Sequence, residues 1–362
     1  MTDICIFNGD MSRGGGTERI TQLLANLLAE RDDYRVWVLN LNNEKNTSFY
    51  PLSDNVDFAV LPGHSVPGKM IALWKFVRRH KIDIIVNVDI MLGIYSLPVS
   101  YLYPRMKLVS WEMFNIRNDI GSRNTKRIRQ ISLRRSACYV TQTRGDMEAF
   151  QREMRVKCPI TYIHNPCFVD EAYKAYDSTS KTIVTAGHFF YTKGYDLAVE
   201  TARLVFERHP DWNWEFYGDG VRLEETKKLV KGYGLEDNVL FCGRTKHIEE
   251  AYKKAAMYVM TSRTEGFGLV LTEAKSYNLP TLSFDIDFGP REIIENDISG
   301  CLVEAFDIQK MADRICELIE DAEKRRFFSL HARDNLKLFS PETFRERWLS
   351  VIDTIQKQRK KR

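Results

Sequence analysis

Short apolar runs alternate with longer amphipathic stretches along nearly the whole chain. Residues 4–8, 36–39, 56–60, 83–88, 107–110, 139–142 and 160–163 are rich in β-branched and aromatic side chains, which predicts buried strands. Stretches 17–30, 68–80 and 125–136 carry their apolar positions at helical spacing; in the second of these Met70, Leu73, Trp74 and Val77 share one face. The second half repeats the rhythm, with strands predicted at 182–186, 214–217, 239–242, 257–260, 281–284 and 301–303. Alternation of this kind predicts α/β architecture with parallel sheets covered by helices on both faces.

One segment interrupts the pattern. Residues 164–181 contain Asn165-Pro166 and a polar run at 177–181, which predicts a hinge. The expected organisation is two doubly wound, Rossmann-like domains, 1–165 and 166–340, facing one another across a cleft. A last helix, about 341–358, has Ser340 as a cap candidate, Pro341 at its first position and Glu342 at the positive end of its dipole. Residues 341–362 are expected to pack back on the first domain. In such sheets ligands gather at the carboxyl ends of the strands, beside helix N-termini.

Composition narrows the class. A length of 362 residues suits two domains, and 44% apolar with 28% charged residues is ordinary for a globular protein. Seven scattered cysteines, never spaced C-x-x-C, favour reduced thiols over a disulfide framework or a cysteine zinc site. The chain starts directly into a strand, which predicts a cytoplasmic protein without a signal peptide. The most apolar stretch, 82–103, is broken by Asp83, Asn87, Asp89 and Pro98 and is not expected to span a membrane. Net charge is +4, unevenly placed. Arg123, Lys126, Arg127, Arg129, Arg134, Arg135 and Arg144 fall between Asp119 and Asp146 with no acidic residue among them. A second basic stretch surrounds 69–81, and Lys357, Arg359, Lys360, Lys361 and Arg362 end the chain. These runs suit either solvated helix faces or an anionic membrane surface, and nothing points to nucleic acid.

Four segments carry candidate chemistry. The strongest is Glu265-Gly266-Phe267-Gly268-Leu269-Val270, followed by Glu273, directly after the strand at 257–260. Two glycines allow close backbone approach, and a helix starting near Phe267 would aim its amides at a phosphate. Glu265 and Glu273 would be repelled by a diphosphate, so they are expected on sugar and ribose hydroxyls respectively. Without a ligand they read as an N-capping and a helix-surface glutamate. The second segment, Gly187-His188 through Lys193, follows the strand at 182–186. The third, Gly14-Gly15-Gly16 after the first strand, reads equally as a tight strand-to-helix turn or a phosphate-binding turn. The fourth is Glu112-Met113-Phe114-Asn115.

In this setting the segment from Ser262 to Ala274 resembles the donor loop of the family 4 retaining glycosyltransferases with the GT-B fold, of the bacterial surface-polysaccharide type. Asn278-Leu279-Pro280, the stretch from Phe284 to Ile294, Gly300 to Val303, Gly218-Asp219-Gly220, and Asn238 to Gly243 followed by Arg244 extend the likeness over essentially the whole chain. The resemblance implies transfer of a hexosyl or N-acetylhexosaminyl group from a nucleotide sugar, commonly UDP-linked, with retention. It implies a lipid-linked or surface-glycan acceptor, no metal and no cofactor. It places Gly15, Gly16, Gly187, Lys193, Gly243, Arg244, Glu265 to Val270 and Glu273 around the donor, with Lys193 and His188 neutralising the departing diphosphate. His188 stands where the family usually has arginine. Glu112, Met113 and Asn115 fall in an acceptor-side loop, with Met113 where relatives have a histidine near the sugar hydroxyls. Asp285-x-Asp287 has the spacing of a divalent-cation motif, but its Gly289-Pro290-Arg291-Glu292 sequel resembles metal-free relatives. The other readings are a nucleotide-sugar epimerase of the same fold and a catalytically silent nucleotide-sugar-binding subunit. A dehydrogenase is disfavoured because no acidic ribose partner accompanies the glycine turn.

Overall fold

The computed structural model describes residues 1–118 and 124–360, with the side chains of 359 and 360 left aside. Asp119 and Arg123, and Lys361 and Arg362 of the basic tail, lie outside the described residues. The chain divides into two compact units: Met1–Pro166 with Glu342–Arg362, and Cys167–Pro341.

Unit 1 runs β1 (Thr2–Asn8), α1 (Gly16–Ala29), β2 (Tyr34–Asn40), β3 (Val56–Val60), α2 (Val66–Arg79), β4 (Ile84–Val88), α3 (Gly93–Leu102), β5 (Lys107–Trp111), α4 (Thr125–Arg135), β6 (Cys138–Thr141), α5 (Arg144–Glu153) and β7 (Ile160–Tyr162). Its seven strands are ordered β3-β2-β1-β4-β5-β6-β7. Every pairing is parallel. Ile4, Ile6, Ile84, Val86 and Val88 have no exposed surface, because a parallel strand between helical layers must be apolar on both faces.

Unit 2 runs β8 (Thr182–Ala186), α6 (Tyr195–Arg208), β9 (Asn213–Tyr217), α7 (Leu223–Gly232), β10 (Val239–Gly243), α8 (Ile248–Lys254), β11 (Met257–Met260), α9 (Leu269–Ser276), β12 (Thr281–Asp285), α10 (Pro290–Ile293), β13 (Gly300–Glu304), α11 (Ile308–Glu320) and α12 (Ala322–His331). Its parallel sheet is ordered β10-β9-β8-β11-β12-β13. The chain closes with α13 (Pro341–Lys360), which belongs to unit 1. Phe344 and Trp348 anchor it there; the Trp348 ring meets Trp111 of β5 at 4.7 Å between centroids, edge to face.

Two members of the basic runs, Arg129 and Lys69, are buried among the described residues, and Lys69 donates to the Leu41 carbonyl and Asn42 Oδ1. Lys126, Arg127, Arg134 and Arg135 of α4, and Lys75, Arg78 and Arg79 of α2, remain exposed. Among the described residues no helix is long and apolar enough to cross a membrane.

Candidate active site

In unit 2 the carboxyl ends of β8, β9, β10, β11 and β12 feed loops that are tied to one another by their backbones. Gly187 N–H donates to Tyr217 O, Phe189 N–H to Asp219 O and Gly218 N–H to Gly243 O, each within 2.8–2.9 Å. The loop after β8 ends in a single 3-10 turn, Tyr191–Lys193, closed by Gly194 at φ 64. Only glycine fits there: a Cβ would come within 2.0 Å of the Thr261 carbonyl, and the left-handed backbone disfavours other residues. This close approach is what lays Lys193 against the loop that follows β11.

A second fastening fixes the same two loops. Arg263 donates to both carboxylate oxygens of Asp196, at 2.8 and 2.7 Å, and to Tyr191 O at 3.0 Å. Its guanidinium also covers the Tyr191 ring at 4.1 Å. Burial opposes ionisation of Asp196, but the Arg263 hydrogen bonds and charge, with backbone N–H groups of Asp196 and Leu197, together outweigh it and hold the carboxyl below the usual range. The loop after β12 joins through Gly289 at φ 101, where a Cβ would lie 2.3 Å from Phe267 O.

Inside this frame sits one ion pair. Lys193 Nζ donates to Glu265 Oε1 at 2.7 Å and to Oε2 at 2.9 Å. Ser262 Oγ donates to the same Oε1 at 2.6 Å. The Glu265 side chain is 8% exposed and that of Lys193 29%, so the pair faces the strand ends from a largely desolvated seat. The two residues assigned to sugar and diphosphate are thus immediate neighbours, and the carboxylate is oriented by a serine hydroxyl whose role the sequence did not announce. Serine three residues before the glutamate was the available signal.

The helix after this loop begins at Leu269, not near Phe267. Gly268, at φ 98 and ψ 50, caps it in a left-handed conformation, while Phe267 turns inward and its ring meets Phe339 at 5.4 Å. Gly266, Leu269 and Val270 remain partly exposed, as does Glu273, the fifth residue of α9. His188 is exposed, its ring 5.5 Å from that of Phe190. Gly243, at φ 70, and the exposed Arg244 lie at the carboxyl end of β10. Asp285 is held by both Arg291 Nη2, at 2.8 Å, and Arg291 Nε, whereas Asp287 is exposed.

Unit 1 brings its own candidates to the carboxyl edge of its sheet. Gly15 is the N-cap of α1 and Gly16 its first residue. Glu112 has no exposed surface: its Oε2 accepts from Arg129 Nε at 2.8 Å and Tyr139 Oη at 2.9 Å, and Oε1 from Phe114 N–H at 3.4 Å. Arg129 also donates to the carbonyls of Asn115, Ile116 and Asn118. Asn115 Oδ1 accepts from the backbone N–H of Arg117 and Asn118. Glu112 and Asn115 therefore fold the loop after β5. Met113 is 9% exposed, and its carbonyl accepts from Gln142 Nε2 at 2.6 Å.

Comparison with known proteins agrees with this geometry. Residues 170–335 match the family described as Glycosyl transferases group 1. The chain is 26% identical to an uncharacterised glycosyltransferase of Haemophilus influenzae over 97% of its own length and all of that protein's. It is 25% identical to the amylovoran biosynthesis glycosyltransferase AmsD of Erwinia amylovora, over 98% and 100%. Among solved structures, that of Anabaena HepE in complex with UDP covers 98% of this chain and 100% of that one, at a TM-score of 0.82 and 18% identity. Two parallel α/β units of this topology, overlaid along their whole length on such structures, have the GT-B fold. Residues 170–335, which include the Lys193–Glu265 pair, are thus similar to the group 1 glycosyl transferases.

Proposed function

We propose that the protein transfers a hexosyl or N-acetylhexosaminyl group from a UDP sugar to a hydroxyl of a lipid-linked or surface glycan, with retention and without a metal. The observation that carries this is the Lys193–Glu265 pair at the carboxyl edge of the unit 2 sheet, next to the first turn of α9. Lys193 and the α9 amides would stabilise the charge that builds on the departing diphosphate. Glu265, an acceptor-only group when ionised, would take hydrogen bonds from sugar hydroxyls. The acceptor oxygen forms the new bond to the anomeric carbon, the bond to the diphosphate oxygen breaks with its electron pair, and the acceptor proton passes to the departing diphosphate.

Names of relatives support the substrate classes. A poly(ribitol-phosphate) alpha-N-acetylglucosaminyltransferase of Staphylococcus aureus is 31% identical over 49% of this chain and 36% of that one. HepE has been solved with UDP-glucose. A metal-free diphosphate site is supported by Asp285, whose carboxylate is held by Arg291 instead of standing open beside Asp287. The exposed basic faces of α2 and α4 support a place on the inner face of the cell membrane, peripheral and cytoplasmic.

A thermal-shift screen with uridine, guanosine and adenosine diphosphates and their sugars tests the reading. UDP and a UDP sugar are expected to stabilise the protein, by about 2.7 kcal/mol at a hundredfold excess over Kd. A protein that none of these nucleotides stabilises would refute the proposal, and binding without transfer or donor hydrolysis would reduce it to a silent subunit.

A further inference from the structure

Asp89 closes β4 in the centre of the unit 1 sheet, and its backbone is strained. At φ 99 and ψ 128 it occupies a region that L side chains rarely adopt. Its N–H donates to Trp111 O at the end of β5, which holds it in that conformation. Oδ1 accepts from Met91 N–H at 2.8 Å, whereas Oδ2 has no hydrogen-bond partner among the described residues, and the residue is partly exposed. β4 lies against β1, where the strand order of the sheet reverses direction, the usual place for a ligand in an open α/β sheet. Phe7 pairs with Asn87, so Gly9 and Asp89 each stand two residues further on, and a Cβ on Gly9 would meet nothing within 4 Å. A partly exposed carboxylate therefore stands at the switch point.

The local chemistry does not favour an ion here. Burial pushes the Asp89 carboxyl up to about 6, with the Glu112 charge adding to the rise while Met91 N–H and Arg129 oppose it. An asparagine would serve Met91 equally well, and a glycine would relieve the backbone. What aspartate supplies and asparagine does not is a second acceptor oxygen, the first being taken by Met91 N–H.

We propose that Asp89 is the acceptor-hydroxyl ligand of unit 1, accepting a hydrogen bond from the hydroxyl that receives the sugar. This rests on the transferase reading above. Asp89 orients the hydroxyl and takes no proton in the balance; the bond made, the bond broken and the proton's destination are those already given.

Two variants test it, Asp89→Asn, which keeps shape and the Met91 bond, and Asp89→Gly, which also relieves φ. Transfer from UDP-glucose and UDP-N-acetylglucosamine to glycerol, glucose, galactose and N-acetylglucosamine is compared with UDP binding and thermal stability. Both variants are expected to bind UDP within about twofold of wild type and to lose roughly a hundredfold in transfer, the order for one lost transition-state contact. The wild type should also lose transfer as pH falls through about 6, a limb absent from the residual activity of Asp89→Asn. Where the wild type only hydrolyses its donor, water replaces the acceptor and the same loss is expected in hydrolysis. Asp89→Asn should melt no lower than wild type at neutral pH. Transfer within threefold of wild type, or a melting point well below it, would overturn the proposal, as would a wild type that binds UDP and does neither reaction. A wild type that binds no UDP would instead defeat the reading of function.

Discussion

Each unit holds a buried glutamate paired with a cation in a loop after a central strand, and the Glu112–Arg129 and Glu265–Lys193 pairs are built for opposite purposes. Glu112–Arg129 in unit 1 is sealed from water, with both partners saturated by the loop's own backbone and by Tyr139. Glu265–Lys193 in unit 2 keeps a carboxylate mostly buried but leaves the ammonium partly open at the strand ends. A sealed pair can only fasten the fold, because any ligand would have to break buried hydrogen bonds to reach it. An ion pair left partly open at a ligand-binding edge can trade one partner for a substrate at small cost.

The largest expected effect falls on the sealed pair. Glu112→Ala strands Arg129 and the Tyr139 hydroxyl, and removal of one partner of a buried pair typically costs about 3–5 kcal/mol. Denaturant unfolding should show that loss, and a second change, Arg129→Met, should recover part of it. UDP affinity measured below the transition should stay within about twofold, since the Lys193–Glu265 pair and most residues expected around the donor lie in unit 2; a large loss of UDP binding would mean that the sealed pair also serves the donor.

Lys193→Ala should invert that pattern. Its stability cost is expected to be about 1 kcal/mol, because Ser262 still holds the Glu265 carboxylate and the lysine is partly exposed. Its rate cost should reach roughly 10²–10³, as for other single donors to a developing negative charge. Steady-state turnover against a melting curve measures both on one preparation. A variant that melts early and still turns over would place Lys193 with Arg129 among the architectural cations.

How much of this contrast could be read from the chain follows the same division. The strands were legible because a parallel strand covered on both faces is a nearly continuous apolar run, as in residues 4–7 of β1, in β4 but for Asn87, and in β11. Helix α3 was not, since its sequence is apolar nearly all round and includes Pro98, so no stripe marks it. The donor-side loops announced themselves through glycines and two glutamates at short range. Arg129 did not, because its partner Glu112 lies seventeen residues away in sequence and nothing local separates a buried arginine from its solvated neighbours Lys126 and Arg127. Asp89 was equally silent: a positive φ just past the end of an apolar strand leaves no mark in the sequence.

The smallest effect expected is at His188, and it sharpens the comparison at the open edge. The residue is exposed directly after Gly187, at the carboxyl end of β8, where the resemblance places an arginine. A neutral imidazole offers a diphosphate one hydrogen bond, whereas a guanidinium offers a charged, two-pronged contact. Exposure limits the difference, because solvent and salt screen such a contact to about 0.2–1 kcal/mol. His188→Arg should therefore tighten UDP binding about two- to fivefold in titration calorimetry at low salt, with most of the gain lost at high salt. Stability should not change, since the residue is exposed and its ring lies beside that of the exposed Phe190. Salt is the discriminating variable: a gain that survived it would mean that the diphosphate desolvates residue 188 and that the open edge closes over the donor, making the two units' acid–base pairs less different in the working enzyme than in the protein alone.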